Sequence, residues 1–138
     1  MEEIKTTKKT DDLKNAYEKF RLHYALTLEC VKILPWELDV STMKMDNIFG
    51  MSILFPESSE QVDFQQWLEM IHPEDKDQIL PSIKMILEGS VNEAAIEYRI
   101  KKESGDYIWL KTIAKIRLRD GKGKPELITG INQDITES

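Results

Sequence analysis

The chain of 138 residues is 41% hydrophobic and 32% charged, a balance suited to one folded domain that buries its own core without disulfides or metals. A formal net charge of -6 and a pI near 5.0 argue against a nucleic-acid partner, whose phosphates demand a basic face. No apolar run approaches the ~18 residues of a membrane span, no signal-peptide core follows Met1, and the single cysteine, Cys30, excludes an internal disulfide. The chain is therefore expected to be cytoplasmic with no direct membrane contact, although its parent could be membrane-anchored.

Residues 1–10, with Lys5, Lys8 and Lys9, read as a flexible, solvated arm. Asp11 and Asp12 can cap a helix over 11–29, in which Leu13, Ala16, Tyr17, Phe20 and Tyr24 fall at three- and four-residue steps opposite Lys14, Glu18, Lys19 and Arg21. The domain proper is expected over 30–138. Ile33 to Val40 alternates around Trp36, Leu38 and Val40 as a strand, with Pro35 favouring an edge or the strand's start. Lys44 to Phe49 returns as a second strand through Ser41-Thr42, and Gly50 to Asp63 holds turn formers. Phe64, Trp67, Leu68 and Ile71 mark a short helix that stops before Pro73. His72-Pro73-Glu74-Asp75 opens another helix, with proline in the first turn and acids at the positive end of the dipole. That helix carries Ile79, Ile83, Ile86 and Leu87 to a stop at Gly89, and Pro81 predicts a kink or a later start.

From Asn92 the period becomes two. Strands are expected over Glu93–Lys102, Tyr107–Arg119 and Pro125–Ile135, joined by Glu103-Ser-Gly-Asp106 and Asp120-Gly-Lys-Gly-Lys124, which have hairpin turn chemistry. The order gives an α+β fold, a five-stranded antiparallel sheet with helices on one face, preceded by the amphipathic helix.

On the middle long strand Ile108, Leu110, Thr112, Ala114, Ile116 and Leu118 share a face, and the small Thr112 and Ala114 leave room at its centre. Ile96, Tyr98 and Ile100 line up on the strand before it. These rows are expected to pack on the helix of Ile83 and Leu87. A ligand pocket would be bounded by Ile83, Leu87, Tyr98, Leu110 and Thr112, the alternative being a filled apolar core. On the opposite face Trp109 and Ile113 form an apolar patch among Lys111, Lys115 and Arg117. The stripe that includes Tyr17 and Phe20 is its natural cover, from the same chain or from a second copy, so Tyr17, Phe20, Trp109 and Ile113 mark a helix-cover or homodimer surface.

No phosphate loop, Gly-x-Ser-x-Gly or paired-cysteine spacing is present. His23 and His72 lack a second ligand at metal spacing and read as a helix-surface or packing residue and a turn residue. Cys30 reads as a semi-buried thiol, and Glu74 and Asp75 as helix-start charges. No catalytic residue, no metal site and no enzymatic activity of the chain itself are expected.

Five segments occur in one order: Trp36-Glu-Leu-Asp-Val40, Ile71-His-Pro-Glu-Asp75, Glu97-Tyr-Arg-Ile100, Gly105-Asp-Tyr-Ile-Trp-Leu110 and Gly130-Ile-Asn-Gln-Asp-Ile-Thr136. Together they resemble a PAS domain of the PAS fold-3 subfamily, over roughly residues 30 to 136. The resemblance implies a sensory or dimerising module, found most often in histidine kinases, cyclic-di-nucleotide enzymes or response regulators. The expectation is the input module of a two-component sensor histidine kinase, homodimeric, with a downstream effector domain in its parent. A ligand-free homodimerisation scaffold and a cyclic-di-nucleotide or response-regulator parent are the alternatives. In the family, Asp134, Ile135 and Thr136 would close the sheet and begin the signal-relay connector. Physically, Asp134 can accept hydrogen bonds, Thr136 can cap a following helix, and Ile135 can anchor to the core. The Asn-Cys-Arg-Phe-Leu type box of flavin-binding members is missing, and no histidine follows Asp75 on the central helix, so neither flavin nor haem is expected. Cys30 precedes the first strand and does not match the chromophore cysteine of the yellow photoreceptor branch. An unidentified small ligand between helix and sheet remains open.

Overall fold

Glu, Lys, Leu and Ala, all good helix formers, recur through the N-terminal segment, which forms one helix, α1 (Glu2–Cys30). The computed structural model describes residues 2–47, 61–102 and 104–136, leaving out the side chains of 2–6, 25, 29 and 47. The helix covers Glu2 onward, well before the expected cap at Asp11, so residues 2–10 of the expected arm are helical. Extending a helix gains one hydrogen bond per residue fixed, whereas a new start carries the cost of nucleation. Contacts divide the chain into two units, Met1–Lys32 and Ile33–Ser138. Within the first, Leu13, Tyr17, Phe20 and Tyr24 are exposed, and the Phe20 and Tyr24 rings stack at 6.0 Å. Cys30 is exposed too, rather than semi-buried as its place between helix and strand suggested.

The second unit holds β1 (Ile33–Asp39), β2 (Lys44–Asn47), β3 (Gln61–Asp63), α2 (Phe64–Met70), α3 (Pro73–Glu88), β4 (Glu93–Lys101), β5 (Tyr107–Arg119) and β6 (Pro125–Asp134). The strands form one antiparallel sheet in the order β3-β2-β1-β6-β5-β4. The sixth strand is β3, where turns were expected. It is three residues long, too short for an alternation to register, but Val62 is buried opposite Met45 and extends the sheet past β2. The expected end of β2 at Phe49 and the turns of 50–60 lie outside the described residues. Among the described residues Pro35 pairs with Ile131 of β6, and the described pairing with β2 begins at Trp36.

Helix α3 is capped at both ends. His72 Nδ1 accepts the Glu74 N–H at 3.1 Å, and Gly89 closes the helix in the left-handed conformation at φ 83°. The helix runs unbroken through Pro81, and no later start is seen. Pro81 and Asp77, whose carbonyl loses its helical partner there, are both exposed, so water can take up the lost bond. Ile79, Ile83 and Ile86 are buried against two apolar clusters. One gathers Trp67, Ile71, Tyr98, Ile100, Ile108 and Leu110; the other gathers Trp36, Leu38, Ala114 and Ile128. Each large side chain buried this way stabilises the fold by about 1.5–3 kcal/mol.

The start of α3 also covers the outer edge of β4. His72 N–H donates to the Arg99 carbonyl at 2.9 Å, and the Asp75 carboxylate accepts from the Arg99 backbone N–H at 2.8 Å. It accepts again from Arg99 Nε at 3.0 Å and Nη2 at 2.9 Å. A lone edge strand would present unpaired backbone groups to other chains, and this clamp removes the exposed pair at Arg99. Hydrogen bonding and charge from Arg99 hold the Asp75 carboxyl below its ordinary value, against the opposing effect of burial.

Candidate functional site

Strand register decides which side chains meet under α3. Trp36 lies opposite Gly130, Gly130 opposite Ala114, and Ala114 opposite Ala94, so one row crosses four strands. Three of its four members are small. A Cβ on Gly130 would run into the Ile113 carbonyl oxygen and come within 2.5 Å of the Trp36 ring, so only glycine lets the indole lie against β6. Above this row is a cavity of about 50 Å³, bounded by Trp36, Ala94, Ala114 and Ile128 on the sheet and by Ile83, Ile86 and Leu87 on α3, with Phe64 and Trp67 from α2.

The next row along the strands carries two hydrogen-bonded polar side chains. Ile96, Thr112 and Asn132 are neighbours in register. Thr112 Oγ1 donates to Asn132 Oδ1 at 2.8 Å and lies 2.6 Å from the Tyr98 hydroxyl. Because the threonine proton goes to Asn132, Tyr98 must donate to Thr112. Burial pushes the Tyr98 hydroxyl up to about 12. Tyr98 therefore stays a neutral donor across the physiological range. The indole N–H groups of Trp36 and Trp67 are buried with no hydrogen-bond acceptor among the described residues. The Trp67 and Tyr98 rings meet edge-on, with centroids 5.5 Å apart.

Of the five side chains expected around a pocket, Ile83, Leu87 and Thr112 line the cavity. Tyr98 and Leu110 are 0% and 2% exposed in the packed cluster beside it, with only the Tyr98 hydroxyl reaching toward Thr112. Sequence reasoning missed Trp36, Trp67, Gly130 and Asn132. The signal for Gly130 was its place inside an alternating strand, a position where glycine marks a close approach.

At the far end of β6 the connector residues turn back onto β5. The Ile135 N–H donates to the Trp109 carbonyl at 2.9 Å, and the Trp109 N–H donates to Thr136 Oγ1 at 2.9 Å. Asp134 Oδ1 accepts the Thr136 N–H at 2.9 Å and holds the turn. Both backbone groups of Trp109 are thus taken by the two residues that follow the strand. On the same strand Trp109 is 41% exposed, with the Arg99 guanidinium 5.2 Å from its ring centre, and Ile113 is half-buried. Tyr17 and Phe20 are exposed on α1.

Among the described residues there is no cluster of three metal-ligating side chains, and no helix is long and apolar enough to cross a membrane. A comparison with curated proteins finds no match. Solved structures with the same fold include a sensory box histidine kinase/response regulator from Burkholderia thailandensis, at TM-score 0.67 and 24% identity over 82% of this chain and 84% of that one. The N-terminal domain of a diguanylate cyclase with PAS/PAC sensor from Marinobacter aquaeolei follows at TM-score 0.61 and 24% identity, over 76% and 96%. A PAS domain from Colwellia psychrerythraea has TM-score 0.59 and 19% identity, over 84% and 97%. At these identities the likeness is one of fold. A family model described as the PAS fold, PAS_3, matches residues 45–132, which is most of the chain; β1, with the cavity residues Trp36 and Leu38, precedes the matched range. The chain belongs to the PAS fold family.

Proposed function

We propose that this sensory PAS domain is the input module of a two-component sensor histidine kinase, acting in the cytoplasm and relaying a change at the cavity to an effector through Asp134, Ile135 and Thr136. The observation that supports this reading is the double use of Trp109. Its backbone holds the connector, while its ring carries Arg99, whose carboxylate partners Asp75 and Glu74 sit at the start of the helix that roofs the cavity. A shift of α3 then has a short physical route to the connector through groups in direct contact. In the intact protein that carries this domain, Asp134→Ala and Thr136→Ala should change autophosphorylation severalfold while the domain's melting midpoint moves little. Unchanged phosphorylation in both variants contradicts the relay. Cyclic-di-nucleotide synthesis with no phosphorylation reassigns the parent.

A second copy of the chain is the proposed partner of α1. Leu13, Tyr17, Phe20 and Tyr24 recur at steps of four, three and four, the spacing of a two-helix seam, and all four are exposed. Sedimentation should show a dimer that Phe20→Glu converts to a monomer.

A further inference from the structure

The clamp at Arg99 closes only one end of the outer edge of β4. Two bonds fix which backbone groups face that edge. The Lys102 N–H donates to the Asp106 carbonyl at 2.8 Å, and the Ile116 N–H donates to the Asn92 carbonyl at 2.9 Å. Even-numbered positions of β4 therefore turn both backbone groups toward β5, and odd-numbered positions turn theirs outward. Arg99 obeys this parity, and its two outward groups are taken by His72 and Asp75. Glu93, Ala95 and Glu97 obey it too, but among the described residues nothing bonds to their outward N–H and carbonyl groups. All three residues are exposed.

The side chains along this edge decide what can pair with it. Glu93 and Glu97 place carboxylates on either side of the small Ala95, all on the face away from α3. A second copy of β4 arriving antiparallel and centred on Ala95 would set Glu93 against Glu97 twice, and like charges directly opposite destabilise a strand pair. A strand with Lys or Arg at two positions four apart meets those carboxylates with opposite charge. It would also continue an alternation that begins on β5, where Lys115 lies opposite Glu93 at 3.6 Å and Lys111 lies opposite Glu97. On the other face Ala94 and Ile96 are half-buried, so apolar residues between the two cations would have apolar neighbours. The net charge of -6 also draws a cationic partner.

We propose that the edge of β4 from Glu93 to Glu97 docks an extended segment of a partner protein, which adds a further strand to the sheet. The segment carries basic residues opposite Glu93 and Glu97 and apolar residues opposite Ala94 and Ile96. Backbone bonds to Glu93, Ala95 and Glu97 supply the attachment, and the two carboxylates set the selectivity. This docking needs neither an occupant in the cavity nor a signal through the connector.

The test uses the complete 138-residue chain, isotope-labelled so that each backbone amide is followed. A peptide with the core Lys-Val-Thr-Val-Lys, blocked at both ends, is titrated beside one in which both lysines are glutamates. The basic peptide should shift the Ala95 and Glu97 amide resonances downfield in a saturable way and slow their exchange with solvent. The Arg99 amide, already held by Asp75, should stay in place. The basic peptide should bind about tenfold more tightly than the acidic one, and added salt should shrink that margin. Glu93→Lys combined with Glu97→Lys should reverse the preference. A basic peptide N-methylated at its central threonine cannot donate to the Ala95 carbonyl and should not bind, a result that requires no substituted protein to fold. Equal affinity for the basic and acidic peptides, no saturable shift with either at millimolar concentration, or undiminished binding of the N-methylated peptide overturns the proposal. Concentration-dependent protection of Ala95 and Glu97 without any peptide also overturns it, because the edge would then belong to a second copy.

Discussion

Two neighbouring stretches of the same sheet face differ sharply in what they bury. Around Tyr98, Ile100, Ile108 and Leu110 the strands carry large side chains that close against Ile71 and Trp67. Four residues further along β5 the row becomes Ala94, Ala114 and Gly130, with Trp36 alone filling one end. The helix above, α3, presents isoleucines to both. The difference therefore lies in the floor, and the hydrogen-bonded row of Thr112 and Asn132 marks the border. A PAS sheet can be sealed at one end and open at the other by the size of three residues.

The largest way to break this contrast is at Gly130. Gly130→Val has nowhere to place its side chain except into the Ile113 carbonyl and the Trp36 ring, so it should cost on the order of 3–4 kcal/mol, read from chemical denaturation. Next, paired substitutions on β5 should separate the two stretches. Leu110→Ala empties packed space and should cost about 3 kcal/mol, whereas Ala114→Val adds atoms where there is room and should change stability by less than about 1 kcal/mol. Equal costs for the two would erase the distinction.

A smaller effect lies at the clamp between α3 and β4, outside both stretches. Asp75 is 7% exposed and its pKa is held below the ordinary 3.8 by Arg99. A depressed carboxylate stabilises the fold fully above its unfolded value and loses that contribution as pH falls through the folded one. Asp75→Asn should therefore cost about 2 kcal/mol at neutral pH, and the gap from the unsubstituted chain should close as the pH is lowered below 3.8. A gap that is constant with pH would show that the carboxylate's charge does not matter there.

Much of the fold was legible because periodicity records burial. The alternation from Glu93 onward marked the long strands, and the stop at Gly89 marked the end of α3. The room at Thr112 and Ala114 was visible too, since small residues in an apolar row can be read without a partner. What could not be read depended on register between distant strands. Nothing local to Trp36 reveals that Gly130, 94 residues on, lies beneath its ring, or that Asp75 meets Arg99 rather than only capping its helix. The three-residue β3 was lost for a different reason, since it owes its strand geometry to pairing with β2.

Xenon tests the contrast between sealed and open stretches most directly, because it enters apolar space without hydrogen bonding. Under xenon pressure the methyl resonances of Ala114, Ile86 and Ile128 should shift progressively, while those of Ile71 and Ile100 stay in place. Equal shifts in both groups, or none in either, would contradict an open floor beside a sealed one.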